Sequence, residues 1–467
     1  MTQHNLAVSI GARRIACAVA HQGSDGQTTT EPVRLGHGTQ TSAAVFVRPD
    51  GVLIFGDEAV LHGQAHPERL IHGLSGRIGD PIGFTVAEMT IEAPEAFAQA
   101  LTWVANRATE QLDEPPTGLV IVHPDEWGPH RLQIVSDALT ACGLAGFGFT
   151  ASAQAAVARY RQTASLDAGH HIAIYDFGGE TFRCTIMKAG SDGSVRPAGT
   201  TGKLDDLGGA DLDDAIFGYL VDSSGLSEAS TLTSGNVAAH EALVRLRESG
   251  TAAKEALSSE TDVTVQVMVP PVQTNVRLTR AELEQLAEPL IEHTADLLDE
   301  ALDDARIGAA DLDAIILIGG TSRMPRIAQR LSELFDRPIV IDPDPAASTV
   351  LGAAQAGLES AAGRDHSIFG NDLHTEDDGD DRPDEAPRQK RKLRLPSSAH
   401  LTRIVRIALI VAAVVLVAVW LLVQPAAADD RDSTGHPYPL ASATVQSTDN
   451  TATSPPSTSP THRGNHS

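Results

Sequence analysis

Apolar residues along this chain follow two alternating patterns. Short apolar runs bounded by turn-forming residues, at 6–10, 43–47, 119–122, 171–176, 181–188, 263–269 and 314–318, predict strands. Between them, segments 94–112, 129–142, 210–220, 236–257, 280–305 and 324–334 carry apolar residues at three- and four-residue spacing, which places them on one face of a helix. Strands interleaved with helices over residues 6–358 predict α/β structure. The order repeats coarsely, because a strand runs into a glycine turn at 8–11 and again at 175–182. That is the layout of a duplicated fold with a ligand between two lobes, although two unrelated α/β domains would give the same periodicity.

Beyond residue 358 the pattern changes. Residues 359–402 lack apolar periodicity and carry an acidic stretch at 376–385 and a basic one at 388–394, the signature of a disordered linker. Segment 403–423 holds an apolar run from Ile404 to Val423, interrupted only by Arg406. That run is long enough to cross a hydrocarbon layer of about 30 Å, and a buried core helix is the alternative. Arg388, Lys390, Arg391, Lys392, Arg394, Arg403 and Arg406 crowd its N-terminal flank, whereas only Arg431 and Arg463 follow it. Basic excess marks the cytoplasmic side, and Trp420 sits where an indole favours the outer interface. Residues 424–467 are rich in Ser, Thr and Pro and read as a disordered exported tail. Residues 1–6 contain no signal-peptide pattern. The expectation is a single-pass protein of the cell membrane, with its large domain in the cytoplasm and its partners a lipid bilayer and an unidentified protein.

Charge and cysteine usage narrow the chemistry. A formal net charge of -26, from 61 acidic and 35 basic residues, repels phosphate backbones and argues against nucleic acid as a partner. Cys17, Cys142 and Cys184 are widely spaced and odd in number, so they build neither a disulfide framework nor a zinc site and read as reduced, mostly buried thiols.

The candidate chemistry lies in glycine turns. Tyr175-Asp176-Phe177-Gly178-Gly179-Glu180-Thr181-Phe182 is a strand that ends in an acid and turns through two glycines into another strand. Glycine lets backbone amides approach phosphates closely, and an acid at the turn can hold magnesium through water. A plain β-hairpin turn is the alternative. Leu207-Gly208-Gly209-Ala210-Asp211-Leu212-Asp213 follows, then Ala253-Lys254-Glu255-Ala256-Leu257-Ser258-Ser259, then Ile318-Gly319-Gly320-Thr321-Ser322-Arg323. In order and spacing these strings resemble the nucleotide-binding domain of the heat shock protein 70 family, and Val350-Leu351-Gly352-Ala353-Ala354 is similar to its closing helix.

This resemblance implies an actin-like ATPase fold, with lobe I at about 1–170, lobe II at about 171–345 and a closing helix at about 346–358. It implies ATP or ADP as ligand, with Mg2+ possible. Nucleotide contacts carry over to Gly11, Gly178, Gly179, Thr181, Gly208, Gly209, Lys254, Ser258, Gly319, Gly320 and Arg323, and Asp176 is the candidate catalytic acid and water-mediated metal ligand. A solvated surface lysine is the alternative for Lys254.

The departures fall on the hydrolytic set. Ser9 stands where the resembled family has an aspartate and Ala12-Arg13 where it has paired threonines. Ser75 is expected near its catalytic lysine, Ser152 at a glutamate, Arg183 at a second aspartate and Glu180 at a glycine. Arg13, Arg77 and Arg183 offer charge, but an arginine neither accepts a proton nor holds a hydrated cation. The expected function is a membrane-tethered nucleotide-dependent regulator with weak hydrolysis at most. A membrane-anchored chaperone ATPase and an actin-like scaffold are the alternatives. No alternating strands beyond residue 359 suggest the family's client-binding β-sandwich.

Overall fold

Two sheets of matching design carry the structure, a computed structural model that describes residues 4–23, 27–226 and 237–361. The first half contains β1 (His4–Ile10), β2 (Arg14–Gln22), β3 (Thr28–Pro32), β4 (Gln40–Ser42), β5 (Val45–Val47), β6 (Leu53–Phe55), α1 (Asp57–Ala65), β7 (Leu70–Ile71), β8 (Phe84–Val86), β9 (Met89–Ile91), α2 (Ala93–Leu112), β10 (Gly118–His123), α3 (Pro129–Ala141), β11 (Phe147–Ala151) and α4 (Ser152–Tyr160). The second contains β12 (His171–Phe177), β13 (Phe182–Ala189), β14 (Val195–Pro197), β15 (Gly202–Leu204), α5 (Gly209–Ser223), α6 (Val237–Ala256), β16 (Asp262–Val269), β17 (Val272–Thr279), α7 (Arg280–Ala305), β18 (Leu312–Ile318), α8 (Pro325–Phe335), β19 (Ile339–Ile341) and α9 (Ser348–Ala361).

Strand order in the first sheet is β11-β10-β1-β2-β3, with β4 also on β2, and in the second β14-β13-β12-β18-β19, with β15 also on β13. In each sheet a leading strand, β1 or β12, lies antiparallel to its hairpin partner β2 or β13 and parallel to a later strand, β10 or β18. A further parallel strand, β11 or β19, and a further antiparallel one, β3 or β14, complete the match. The leading strands are covered on both faces, which explains their continuous apolar runs. Apart from their first residues, only Ser9 in β1 and Asp176 in β12 escape burial, and both stand one residue before the strand end.

Separate cores form in the two halves. Leu6, Val8, Phe97, Leu101 and Leu139 pack together in the first, and Tyr175, Phe177, Phe182, Ile216 and Leu298 in the second. Helix α7 starts sharply because Thr279 and Glu282 form a reciprocal capping box, an arrangement worth on the order of 1 kcal/mol.

Helices α4 and α9 connect the halves. Ala155 of α4 and Val350, Leu351 and Ala354 of α9 pack beneath the first sheet on Ala7, Val120 and Val122. Ala153, Ala156 and Val157, on other faces of α4, pack against Ile172, Ile174 and Ile316 of the second sheet. Asn5 Nδ2 donates to the Ala354 carbonyl at 3.0 Å, fixing α9 to β1.

The closing helix expected at 346–358 is α9, which runs to Ala361, so the first residues of the expected linker belong to it. The rest of that linker, the helix expected at 403–423 and the tail at 424–467 lie outside the described residues. Among the described residues no helix is long and apolar enough to cross a membrane. Cys17 and Cys184 are buried and burial pushes both thiols up to about 12, whereas Cys142 is exposed.

Candidate functional site

The turns that follow the two leading strands close with the same hydrogen bond. Gly11 N–H donates to the Arg14 carbonyl at 3.0 Å, and Gly178 N–H to the Thr181 carbonyl at 3.0 Å. Position for position, Ala12 corresponds to Gly179 and Arg13 to Glu180. The turns meet across a cleft, because a Cβ built on Gly179 would sit 2.9 Å from Cδ of Arg13. The cleft encloses about 1480 Å³, more than a small ligand with several phosphates requires.

Gly11, Asp176, Gly178, Gly179, Thr181, Lys254, Ser258, Gly319, Gly320 and Arg323 all line this cleft. At Gly319 a φ of 86° and contact with the Phe177 carbonyl and Asp176 Oδ1 leave no room for a side chain. Arg323 is ion-paired to Asp344, and Ser258 lies in the turn after α6 rather than on its last turn, because the helix ends at Ala256.

Gly208 and Gly209 are placed differently. Helix α5 begins at Gly209 as expected, but Gly209 N–H donates to the Gly178 carbonyl at 3.0 Å and Ala210 N–H to the Gly179 carbonyl at 2.7 Å. The first amides of α5 therefore buttress the second turn instead of facing a ligand. Gly208 packs so closely that a Cβ there would lie 2.5 Å from the Glu180 backbone nitrogen.

Arg77 points away from the cleft, where it pairs with Asp80, donates to the Ile82 carbonyl at 3.0 Å and lies over the Phe84 ring. The residues from the same stretch that line the cleft are His72, Gly73, Ser75 and Gly76. Burial lowers the pKa of His72, and Arg13 lowers it further against the opposing pull of Glu180. An isolated histidine in a turn gave no sequence signal.

Two polar constellations shape the cleft. At its wall, Asp213 of α5 is 3% exposed and is shared by Lys254 Nζ at 2.7 Å and Arg13 Nη1 at 3.2 Å. Lys254 also donates to the Gly209 carbonyl at 2.8 Å, which makes it a fixed interior cation and not a solvated surface lysine.

At the floor, Asp176 stands opposite Arg183 across the β12–β13 ladder. Arg183 donates to Glu126 from Nε at 2.9 Å and Nη2 at 2.7 Å, and to Thr181 Oγ1 from Nη1 at 2.7 Å. Burial would raise Glu126, but the Arg183 hydrogen bonds and charge outweigh it and hold the carboxyl below the usual range. Its neighbour Asp125 accepts from Ala153 N–H at 2.9 Å and Thr185 Oγ1 at 3.1 Å. Burial pushes Asp125 up to about 6 against those hydrogen bonds. Burial also raises Asp176, partly offset by Arg183 and by the hydroxyl of Ser152, which donates to Oδ2 at 3.3 Å.

Asp125 and Glu126 lie outside the glycine strings of the sequence. Their signal was position, since they follow β10, and ligands of α/β sheets gather at the carboxyl ends of parallel strands.

A magnesium ion keeps much of its hydration and is usually held by one or two carboxylates together with substrate phosphates. Asp176 is hydrogen-bonded by Ser152 and faced by a guanidinium, and its counterpart in the first turn is Ser9. Among the described residues no three His, Cys, Asp or Glu side chains converge on a common point. One carboxylate, already hydrogen-bonded and with a guanidinium opposite, where a matched pair of strand ends would give two, is a poor donor set for a divalent ion.

Compared with known protein families, residues 78–375 match the family described as Hsp70 protein. The chain belongs to the Hsp70 family. It is 29% identical over 359 residues to the chaperone protein DnaK of Picrophilus torridus, covering 75% of this chain and 57% of that protein. It is 30% identical over 362 residues to DnaK of Halobacterium salinarum, covering 75% and 55%, and 30% identical over 319 residues to DnaK of Elusimicrobium minutum, covering 66% and 50%. The chain thus spans about half the length of these relatives. Its mixed α/β structure of paired sheets fits the actin-like fold of the family's nucleotide-binding region.

Proposed function

We propose that the cleft binds an adenine nucleotide and that the chain acts as a nucleotide-responsive regulator with little or no hydrolysis. The observation that carries this reading is the pair of facing glycine turns, closed by the same 3.0 Å hydrogen bond, with only one acid between their strands. Backbone amides at such turns favour phosphate oxygens, and the Gly319-Gly320 turn gives a flat aromatic base close access to backbone.

Phosphoryl transfer to water is mostly a matter of positioning and charge neutralisation around the γ-phosphate. Asp176 is the remaining acid on the leading strands, and its raised pKa with a guanidinium opposite makes it a poor organiser of hydrated metal. The lobes are joined through α4 and α9, so ligand contacts to both turns favour the closed arrangement, and the domain reports occupancy by its closure. The apolar run 404–423 and its basic flank support a tether at the cytoplasmic membrane face.

Thermal denaturation of the full chain with saturating ATP, ADP or AMP tests this reading. Stabilisation by ATP and ADP is expected, and absence of any shift contradicts nucleotide binding. Fractionation of cells expressing the chain tests the tether, with recovery in the membrane pellet expected and full recovery in the soluble fraction contradicting it.

A further inference from the structure

We propose that phosphate groups bound in this cleft are neutralised by Arg13 and Lys254, so that nucleotide binds without a divalent cation. The inference rests on the reading of the cleft as an adenine-nucleotide site and specifies how that site handles charge.

The first argument comes from the duplicated halves. Ser9 and Asp176 occupy the same position on equivalent strands, each the partly exposed residue just before the glycine turn. An ion lying between the turns would meet a carboxylate from one half and a hydroxyl from the other. The carboxylate already accepts from Ser152 Oγ at 3.3 Å. Its cross-strand neighbour Arg183 is clamped by Glu126, at 2.9 and 2.7 Å, so the guanidinium does not swing away to admit a dication.

The second argument concerns the cleft wall. Arg13 and Lys254 share a single carboxylate, Asp213, so the wall sets two cations on one buried anion, with Glu180 at the tip of the second turn as an opposing charge on the cleft lining. Asp213 is 3% exposed and anchors the pair from below, while the Arg13 side chain remains 42% exposed toward the cleft. Its hydrogen bond to Asp213 uses Nη1 alone, and a guanidinium carries five donors in a planar fork suited to phosphate oxygens. Arg13 sits at the tip of the first turn and lies over Gly179 of the second, so it reaches the space that phosphates bound by either turn would occupy.

Calorimetric titration of the full chain with ADP and with ATP, once in excess magnesium and once in EDTA, tests the proposal. The two dissociation constants are expected to agree within about twofold, and tightening by more than about tenfold in magnesium overturns the proposal while leaving nucleotide binding intact. No heat of binding under either condition overturns both. Arg13→Gln, which leaves Asp213 paired with Lys254, is expected to weaken binding in EDTA by about tenfold with only a small fall in the melting temperature of the free protein. Affinity equal to that of the unaltered chain would remove Arg13 from the site and overturn its assigned role.

Discussion

The turn from Gly11 to Arg14 and the turn from Gly178 to Thr181 follow strands with the same burial pattern and close with hydrogen bonds of the same length. Their chemistry is opposed. The first presents Ser9, Ala12 and Arg13, and the second Asp176, Gly179 and Glu180, so a cation faces an anion at the tips and one acid stands where a symmetric pair would have two. Backbone geometry follows from sheet order and buried apolar strands, which the two halves share. The polar residues at the strand ends are under no such constraint, and they decide what the cleft does with a ligand.

Changes that set one turn against the other should have graded effects. The largest should come from Arg183→Ala, which leaves Glu126 partly buried without its partner at the floor of the second turn. Loss of one member of such a pair costs roughly 3 kcal/mol, and chemical denaturation should show this while Glu126→Gln on the same background recovers part of it. A smaller loss in the wild-type background would mean that water satisfies Glu126.

Ser9→Asp makes the two halves alike. A second carboxylate across from Asp176 should lower the melting temperature in EDTA by several degrees, equivalent to roughly 1–2 kcal/mol, and magnesium should restore it. Equal melting temperatures with and without magnesium would show that the halves do not converge on a shared ion position.

Asp125 supplies a pH test. Its folded-state pKa of about 6 lies above the ordinary 3.8, so the folded chain holds this proton more tightly than the unfolded chain does. The cost of ionising it is absent below pH 3.8 and fully present above about pH 6, so stability should fall as pH rises between those values. Asp125→Asn should flatten that part of the profile and stabilise the protein at neutral pH by roughly 1–2 kcal/mol, since some solvent reaches the group. An unchanged profile would assign the pH dependence to other carboxyls.

The smallest effect belongs to Glu180→Gln at the tip of the second turn. Removing an anion beside bound phosphate should tighten ADP by about two- to threefold in calorimetry, opposite in sign to Arg13→Gln at the matching tip. Weaker binding in both variants would contradict the charge opposition of the turns.

Much of this architecture was legible in the chain because β1, β10, β12 and β18 are buried on both faces and read as unbroken apolar runs. Strand β2 was not, although it is the hairpin partner of β1, because Ala16, Ala18 and Ala20 are small residues with weak strand preference. Strand β17 was hidden for another reason, since Gln273, Thr274 and Asn275 face solvent and give it little apolar character.

The site was legible where it is made of glycine. Its charges were not, because Lys254 and Arg13 converge on Asp213, and Arg183 converges on Glu126, across long stretches of chain. Sequence spacing does not encode such meetings, nor that Arg77 turns to Asp80 while His72 lines the cleft.

The proposed function is nucleotide binding in this cleft with little or no hydrolysis. Its most direct test is phosphate release from ATP by the full chain, measured beside the Asp176→Ala variant at saturating nucleotide. Equal release from both, with nucleotide bound, is the predicted result, and turnover that disappears in the variant would contradict the account.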